Sequence, residues 1–313
     1  MASDVLAGLI HLNLAAAAAI LVVLAARTKV RRHFGAELAY CLWVCVPVAA
    51  MFALLPAAAA TRIYPPGVGP HFDPIFMASQ ALDQSPSAML LTLWALGAAL
   101  GGAVVAQRQL RFLRMARRGL AGPAVTGFFS PRIVMPANAD ALYSTDERAL
   151  IRAHERTHID RGDPRTNGFI AVAQCLFWFN PLIHLAAYEA RLDQELACDA
   201  AVLARRSSQK RLYAETLLKT QIGGIATPLG CHWLTGAAPH PLEQRIRSLG
   251  RTAPNDRRRD EGLIIIGFAL ALAAYGAWKA QPASVAQGMP PPYPPTLEVE
   301  HNMQAVILSP VYR

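Results

Sequence analysis

The sequence predicts a mainly α-helical integral membrane protein, with four transmembrane helices and a cytoplasmic helical domain that carries a small β-hairpin. Of its 313 residues, 53% are hydrophobic and 16% are charged, and the mean hydropathy is +0.26. This apolar excess is high for a soluble domain. The basic residues also gather at the ends of long apolar runs, as they do beside membrane spans.

Four apolar runs are long enough to cross a bilayer, which takes about 17–25 residues. They lie at about 5–26, 38–60, 88–106 and 262–279. The first run is interpreted as a retained span, because only four residues without a basic side chain precede it. Residues 1–106 would then hold three transmembrane helices, 107–261 a folded domain, and 280–313 a short Pro-rich tail outside the membrane.

The arrangement of charge predicts the topology. Basic clusters lie at 27–32, 108–118 and 257–259. The loop between the second and third spans, in contrast, carries a single arginine, Arg62, and no lysine. By the positive-inside rule the clusters are cytoplasmic, so both termini lie outside a bacterial inner membrane. Anionic lipid accounts for arginines at these boundaries, and the net charge of +9 therefore does not indicate direct nucleic-acid binding.

Local signals outline the domain. Short strands are predicted at 124–129 and 132–136, around a Ser-Pro turn. A helix should begin at the capping-box pattern Ser144–Glu147 and end at Gly162. Asn180-Pro181 is typical of a helix start, and that helix should run to about Arg205. Two more helices are predicted near 209–221 and 241–249.

His154-Glu155-Arg156-Thr157-His158 is the motif that carries chemistry. Histidines four residues apart project from one face of a helix, so two imidazoles can bind one zinc ion. Glu155 is then placed to take a proton from a water that the zinc activates. The alternative is a chance match on an amphipathic helix.

Two histidines leave a catalytic zinc one protein ligand short. Glu195 could complete the coordination, with Asp199 accepting a hydrogen bond from a ligand histidine. The alternatives are that Glu195 pairs with Arg191 on an exposed face, or that His184 is the third ligand. If Glu195 is a ligand, the segment 169–185 must return to the same side of the membrane.

Two further expectations concern other side chains. The five cysteines form no C-x-x-C pair, which argues against a disulfide framework and against a thiolate metal site. Tyr213 and His232 are both candidates for a second donor to the oxyanion that forms during peptide hydrolysis.

The sequence resembles the BlaR/MecR family of membrane metallopeptidases, which includes antirepressor receptors for beta-lactam antibiotics. The similar residues are His154–His158, Arg161–Asp163, Phe177–His184, Asp193–Asp199, Gly127 with Pro131–Pro136, and Leu242–Leu249. The resemblance implies His154, His158 and Glu195 as ligands of one zinc ion, Glu155 as catalytic base and Asp199 behind the ligands. It also implies that the strand Arg132, Ile133, Val134 and Met135 offers its edge to an extended substrate.

The expected function is a zinc endopeptidase that cleaves a cytoplasmic protein, such as a transcriptional repressor or itself, and so relays an outside signal. A homodimer and contact with the bilayer are further expected partners. The alternatives are a housekeeping membrane-protein protease and a non-catalytic signal transducer. The antibiotic receptors carry a penicillin-binding domain after the last span, whereas 280–313 contain no Ser-x-x-Lys motif. We therefore expect an input other than direct beta-lactam sensing.

Overall fold

The computed structural model describes residues 2–55, 86–223, 241–251 and 253–280. These residues are mostly helical, and one small antiparallel sheet lies among them. In order, the elements are α1 Ala2–Phe34, α2 Ala36–Cys41, a 3₁₀ turn Leu42–Val44, α3 Cys45–Phe52, α4 Ser87–Arg117, β1 Ala124–Thr126, β2 Arg132–Val134, α5 Ala139–Leu142, α6 Thr145–Arg161, α7 Asp163–Leu176, α8 Pro181–Arg205, a 3₁₀ turn Ser207–Gln209, α9 Lys210–Gly223, α10 Pro241–Leu249 and α11 Asp256–Lys279.

Among the described residues, three helices are long and apolar enough to cross a membrane, namely α1, α4 and α11. They contain the first, third and fourth predicted spans and run beyond them into the basic segments. The second predicted span corresponds to a shorter apolar stretch, Ala36–Phe52, and the part of it after Leu55 lies outside the described residues. Arg62 and the tail from 281 onward also lie outside them.

α8 is packed against the predicted membrane helices. One core cluster joins Ile20 and Val23 of α1 with Leu38 of α2, Trp43 of the 3₁₀ turn and Ile183 of α8. The helix that carries Glu195 and Asp199 therefore packs directly against the helices that precede the domain.

The predicted hairpin is present but shorter than expected. Ala124 pairs with Val134 and Thr126 with Arg132, so the ladder holds three residues on each strand. Gly127, the residue after the ladder, has a φ of 105°. This left-handed conformation is incompatible with an extended strand, so the first strand ends at Thr126. Pro136 lacks an N–H donor, which prevents the second strand from extending the ladder to that residue.

The boundaries of α6 confirm the capping prediction. Ser144 Oγ accepts from the Glu147 N–H, and the Glu147 carboxylate accepts from the Ser144 N–H at 2.7 Å. At the other end Gly162 takes φ 76°, a left-handed conformation that glycine adopts without steric cost. α6 therefore holds the His154–His158 motif between two well-defined ends.

Ser144→Ala is expected to destabilise the fold by about 1 kcal/mol, because the mutation removes one side of the capping box. Chemical denaturation of the purified chain in detergent would measure the change. Ser208→Ala, at an exposed serine of the second 3₁₀ turn, is the control and should stay within about 0.5 kcal/mol of wild type. Equal effects of the two substitutions would contradict the prediction.

The break at Asn180 also confirms a prediction. Asn180 Oδ1 accepts from the Leu182 N–H at 2.9 Å, and Pro181 is the first residue of α8. α7 has only 14 residues, about 21 Å of helix, which is shorter than the hydrocarbon core of a bilayer. The chain therefore turns back after α7, and α8 brings Glu195 towards α6.

Candidate metal centre

The two histidines of the motif face each other with Glu195 beside them. His154 Nε2 and His158 Nε2 are 3.1 Å apart. Glu195 Oε2 lies 3.4 Å from His154 Nε2, and Glu195 Oε1 lies 3.5 Å from His158 Nε2. The fold therefore brings these three side chains from two helices to one point.

These separations fit a tetrahedral zinc site. Zinc binds nitrogen and oxygen ligands at about 2.0–2.2 Å, and two ligands at a tetrahedral angle are then about 3.3–3.5 Å apart. The three measured separations of 3.1, 3.4 and 3.5 Å lie at or close to that range. Two imidazoles and a carboxylate are also the donor set of many catalytic zinc sites. The residues present therefore fit a zinc ion.

Hydrogen bonds at the far side of each ring set the histidine tautomers. His158 Nδ1 is 2.7 Å from Asp163 Oδ2. His154 Nδ1 is 2.8 Å from the Tyr213 hydroxyl, which donates to Asp199 Oδ1 at 2.6 Å. If each Nδ1 carries the proton, as these acceptors favour, each Nε2 keeps its lone pair for a metal.

Asp199, predicted to accept a hydrogen bond from a ligand histidine, lies near His154, but the Tyr213 hydroxyl contacts both and makes the shorter contact with the histidine. The direct distance from Asp199 Oδ1 to His154 Nδ1 is 3.4 Å. Asp163 was given no role by the sequence analysis, although it makes the shorter contact with His158. The sequence did contain a signal for this role. Asp163 directly follows Gly162, where α6 was predicted to end, so its side chain was expected to lie near the last turn of α6.

Arg245 is a second residue that the sequence analysis did not assign. Its guanidinium donates to both oxygens of Asp199 at 2.8 Å and lies 2.9 Å from Glu195 Oε2. Asp199 is 1% exposed, so α10 supplies the cation that this buried carboxylate needs. Spacing along the sequence could not reveal the contact, since 46 residues separate the pair.

Cys198 also lies beside the two histidines, a contact that the sequence analysis did not foresee, whereas its argument against a thiolate metal site stays a prediction. His154, His158 and Cys198 form a group that could hold a metal ion. Cys198 Sγ is 3.4 Å from His154 Nδ1 and 3.3 Å from the His154 carbonyl oxygen. These contacts lie on the Nδ1 side of the ring, whereas Glu195 faces both Nε2 atoms. Geometry therefore favours Glu195 as the third ligand.

The electrostatics of the site favour a bound cation. Burial lowers the pKa of His154, but Cys198 and Glu195 outweigh burial and raise it to about 10. Burial raises the pKa of Glu195, yet Arg245 and the histidines lower it further, well below its usual range. Burial also raises the pKa of Glu155, which suits a carboxylate that must accept a proton.

A cavity of about 1220 Å³ opens beside the histidines, with Glu155 in its wall. Of the two described strands, β1 lines this cavity through Ala124, Val125 and Thr126. Arg132, Ile133, Val134 and Met135, the predicted substrate strand, are not among the described residues that line this cavity. β1 is therefore the strand of the hairpin that borders the cavity.

The other candidates from the sequence lie elsewhere. His184 contacts Gln174 at 3.2 Å and the Trp178 carbonyl at 3.0 Å, so both of its ring nitrogens are engaged away from the two ligand histidines. Arg191 donates to Gln174 Oε1 at 3.1 Å. The Tyr213 hydroxyl lies on the Nδ1 side of His154, where it cannot donate to an oxyanion beside Nε2. His232 is outside the described residues.

Comparison with known proteins identifies the family. Residues 7–119 and 106–249 match the BlaR1 peptidase M56 family, and together they cover most of the chain. The chain belongs to this family. The M56 match includes the first three predicted spans and the candidate metal centre, and it ends before α11. The side chains of the candidate metal centre therefore all lie within the matched residues.

Several relatives are similar to this chain over part of its length. It is 34% identical over 98 residues to "Regulatory protein BlaR1" of Bacillus licheniformis, covering 31% of this chain and 16% of that protein. It is 30% identical over 159 residues to the "Methicillin resistance mecR1 protein" of Staphylococcus aureus and of Staphylococcus epidermidis, covering 49% of this chain and 27% of each relative. The chain thus aligns with less than a third of each relative's length. No solved structure matches.

Proposed function

We propose that this chain is a membrane-embedded zinc-dependent endopeptidase that hydrolyses peptide bonds of a cytoplasmic protein in transmembrane signalling related to antibiotic resistance. The observation that carries the proposal is the convergence of His154, His158 and Glu195 at 3.1–3.5 Å in the wall of a cavity that also holds Glu155. Membership of a peptidase family supports hydrolysis as the reaction.

His154, His158 and Glu195 would hold the zinc ion in this proposal. When bound, zinc supplies Lewis-acid polarisation of the scissile carbonyl and activation of water. Glu155 accepts the proton of the attacking water and then returns it to the leaving amine. Asp163 and Tyr213 keep the two imidazoles in the orientation that directs Nε2 towards the ion.

The substrate is expected to bind as an extended strand along β1. A free strand edge offers N–H and C=O groups to an extended peptide, and side chains of the peptide then alternate between the cavity and solvent. Residues of β1 and Glu155 line the same cavity. This arrangement would place one peptide carbonyl near the metal and favours an endopeptidase.

The active site is proposed to face the cytoplasm. Basic residues occupy the last turns of α4 and the first turn of α11, the two helices that flank the domain. The positive-inside rule assigns such segments to the cytoplasmic side. A substrate on that side is a transcriptional repressor or the chain itself, and the recorded names of the relatives, a regulatory protein and a methicillin resistance protein, support a role in signalling.

Removal of zinc is expected to abolish cleavage of a co-reconstituted candidate repressor, and zinc re-addition should restore it. Glu195→Ala is expected to weaken zinc binding by about 100-fold or more, beyond the 10–100-fold typical of a lost supporting contact. Fragments of the repressor would measure the first effect, and metal analysis after dialysis against a graded chelator would measure the second. Glu189→Ala on the same helix is the control, since Glu189 pairs with Arg27.

The outcomes separate the candidate functions. Zinc-dependent cleavage of the repressor or of the chain supports signalling by proteolysis. Cleavage of unfolded membrane proteins only would support a housekeeping protease. Stoichiometric zinc without cleavage of any of these substrates would reject the enzyme and favour a non-catalytic transducer.

A further inference from the structure

Tyr40 belongs to α2, in the apolar stretch Ala36–Phe52, yet its hydroxyl reaches the metal centre. The hydroxyl donates to Asp163 Oδ1 at 3.1 Å and accepts from Gln194 Nε2 at 2.8 Å. The Arg161 guanidinium lies over the Tyr40 ring, 4.7 Å from its centroid. The Arg161 guanidinium therefore packs on the ring, and two hydrogen bonds fix the hydroxyl.

Asp163 divides its two oxygens between Tyr40 and a histidine. Oδ1 accepts from the Tyr40 hydroxyl, and Oδ2 is 2.7 Å from His158 Nδ1. Asp163 is only 1% exposed, so bulk water cannot readily replace either partner. Fixing Oδ1 therefore fixes the direction in which Oδ2 meets the imidazole. Tyr40 thus hydrogen-bonds directly to Asp163, the carboxylate that orients His158.

Gln194 extends the same connection to the other side of the site. It precedes Glu195 on α8, and its Oε1 accepts from Asn167 Nδ2 at 3.0 Å while its Nε2 donates to Tyr40. The residue before it, Asp193, is fully buried and accepts from Trp43 at 2.9 Å as well as from two arginines of α1. Two consecutive residues thus tie α8 to the predicted membrane helices just before Glu195.

We propose that Tyr40 is a positioning residue of the metal centre, which orients His158 through Asp163 and Glu195 through Gln194. The inference rests on the zinc site proposed above and adds a contribution from the predicted membrane helices to it. A displacement of α2 relative to α7 would change the hydrogen bond to Asp163 first. The metal centre is in this way connected to the part of the chain that would receive a signal.

Tyr40→Phe is expected to raise the dissociation constant for Zn²⁺ about 10-fold, the lower end of the effect of lost supporting contacts. The ring and its contact with Arg161 remain, so the fold should be retained. Competition of the full-length purified chain with a chromogenic zinc chelator would measure the constant. With Co²⁺ in place of Zn²⁺, the visible absorption spectrum should also shift, as a purely structural role would not require. Tyr275→Phe, on the exposed surface of α11, should change neither quantity.

A double-variant comparison tests the route of the effect. If Tyr40 acts on His158 through Asp163, Tyr40→Phe should weaken zinc binding by a smaller factor in the Asp163→Asn chain than in wild type, since coupled contacts are not additive. The effect that remains is the part transmitted through Gln194. Effects of the two substitutions that multiply in full would overturn the inference, and so would a Tyr40→Phe chain with wild-type zinc affinity and cobalt spectrum. Gln194→Met, which removes the donor to the Tyr40 hydroxyl, should act in the same direction and carries the test if Tyr40→Phe does not fold. A wild-type chain that binds no zinc would reject the proposed function together with this inference, whereas unchanged binding in both variants rejects this inference alone.

Discussion

Glu155→Gln is expected to slow hydrolysis of a protein substrate by about 10²- to 10⁴-fold, the range in which a general base contributes to catalysis. Glutamine has nearly the shape of glutamate but cannot accept the proton of the attacking water. Glu155 lines the cavity but is not one of the three proposed zinc ligands, so zinc affinity should stay close to the wild-type value. Initial rates in proteoliposomes, with zinc content measured on the same samples, would test both statements.

Arg156→Gln is the matched control for Glu155. Arg156 is the next residue of α6, has a side chain 69% exposed, and pairs with Asp160 on the surface. Its substitution should leave the rate within about twofold of wild type, because exposed ion pairs contribute about 0–1 kcal/mol to stability and this one lies outside the cavity. Hydrolysis by Glu155→Gln at the wild-type rate, with zinc fully bound, would show that another group is the base.

Arg245→Ala is expected to destabilise the domain by about 3–5 kcal/mol, the cost of leaving a buried charge without its partner. The guanidinium contacts both oxygens of Asp199 and one of Glu195, and Asp199 has almost no access to water. Arg245→Lys should recover part of the loss, because an ammonium keeps the charge but not the bidentate geometry. Denaturant unfolding of the purified chain in detergent would measure the series.

Arg247 on the same helix provides the comparison for Arg245. Its side chain is 72% exposed and pairs with Glu243 one turn away. Arg247→Ala should change the free energy of unfolding by less than about 0.5 kcal/mol. If both arginines cost the same, the buried contacts of Arg245 do not stabilise the domain as inferred.

Local features of the fold were predictable from the sequence. The capping box at Ser144, the end of α6 at Gly162 and the start of α8 at Asn180-Pro181 all lie where the residues predicted them. Such signals act within one turn of helix, so neighbouring residues are sufficient to determine them. The strands of the hairpin were located correctly but made too long, because strand length depends on pairing across the ladder.

Within the site, the sequence by itself determined that His154 and His158 share one face of a helix, because residues four apart on a helix are neighbours whatever the rest of the chain does. It left the third ligand open between Glu195 and His184, and it missed Asp163, Cys198, Arg245 and Tyr40. Only the tertiary structure decided these positions. They come from other helices, and the contacts that select them, such as Tyr40 with Asp163 across 123 residues, depend on how α7, α8 and α10 pack and not on any local pattern.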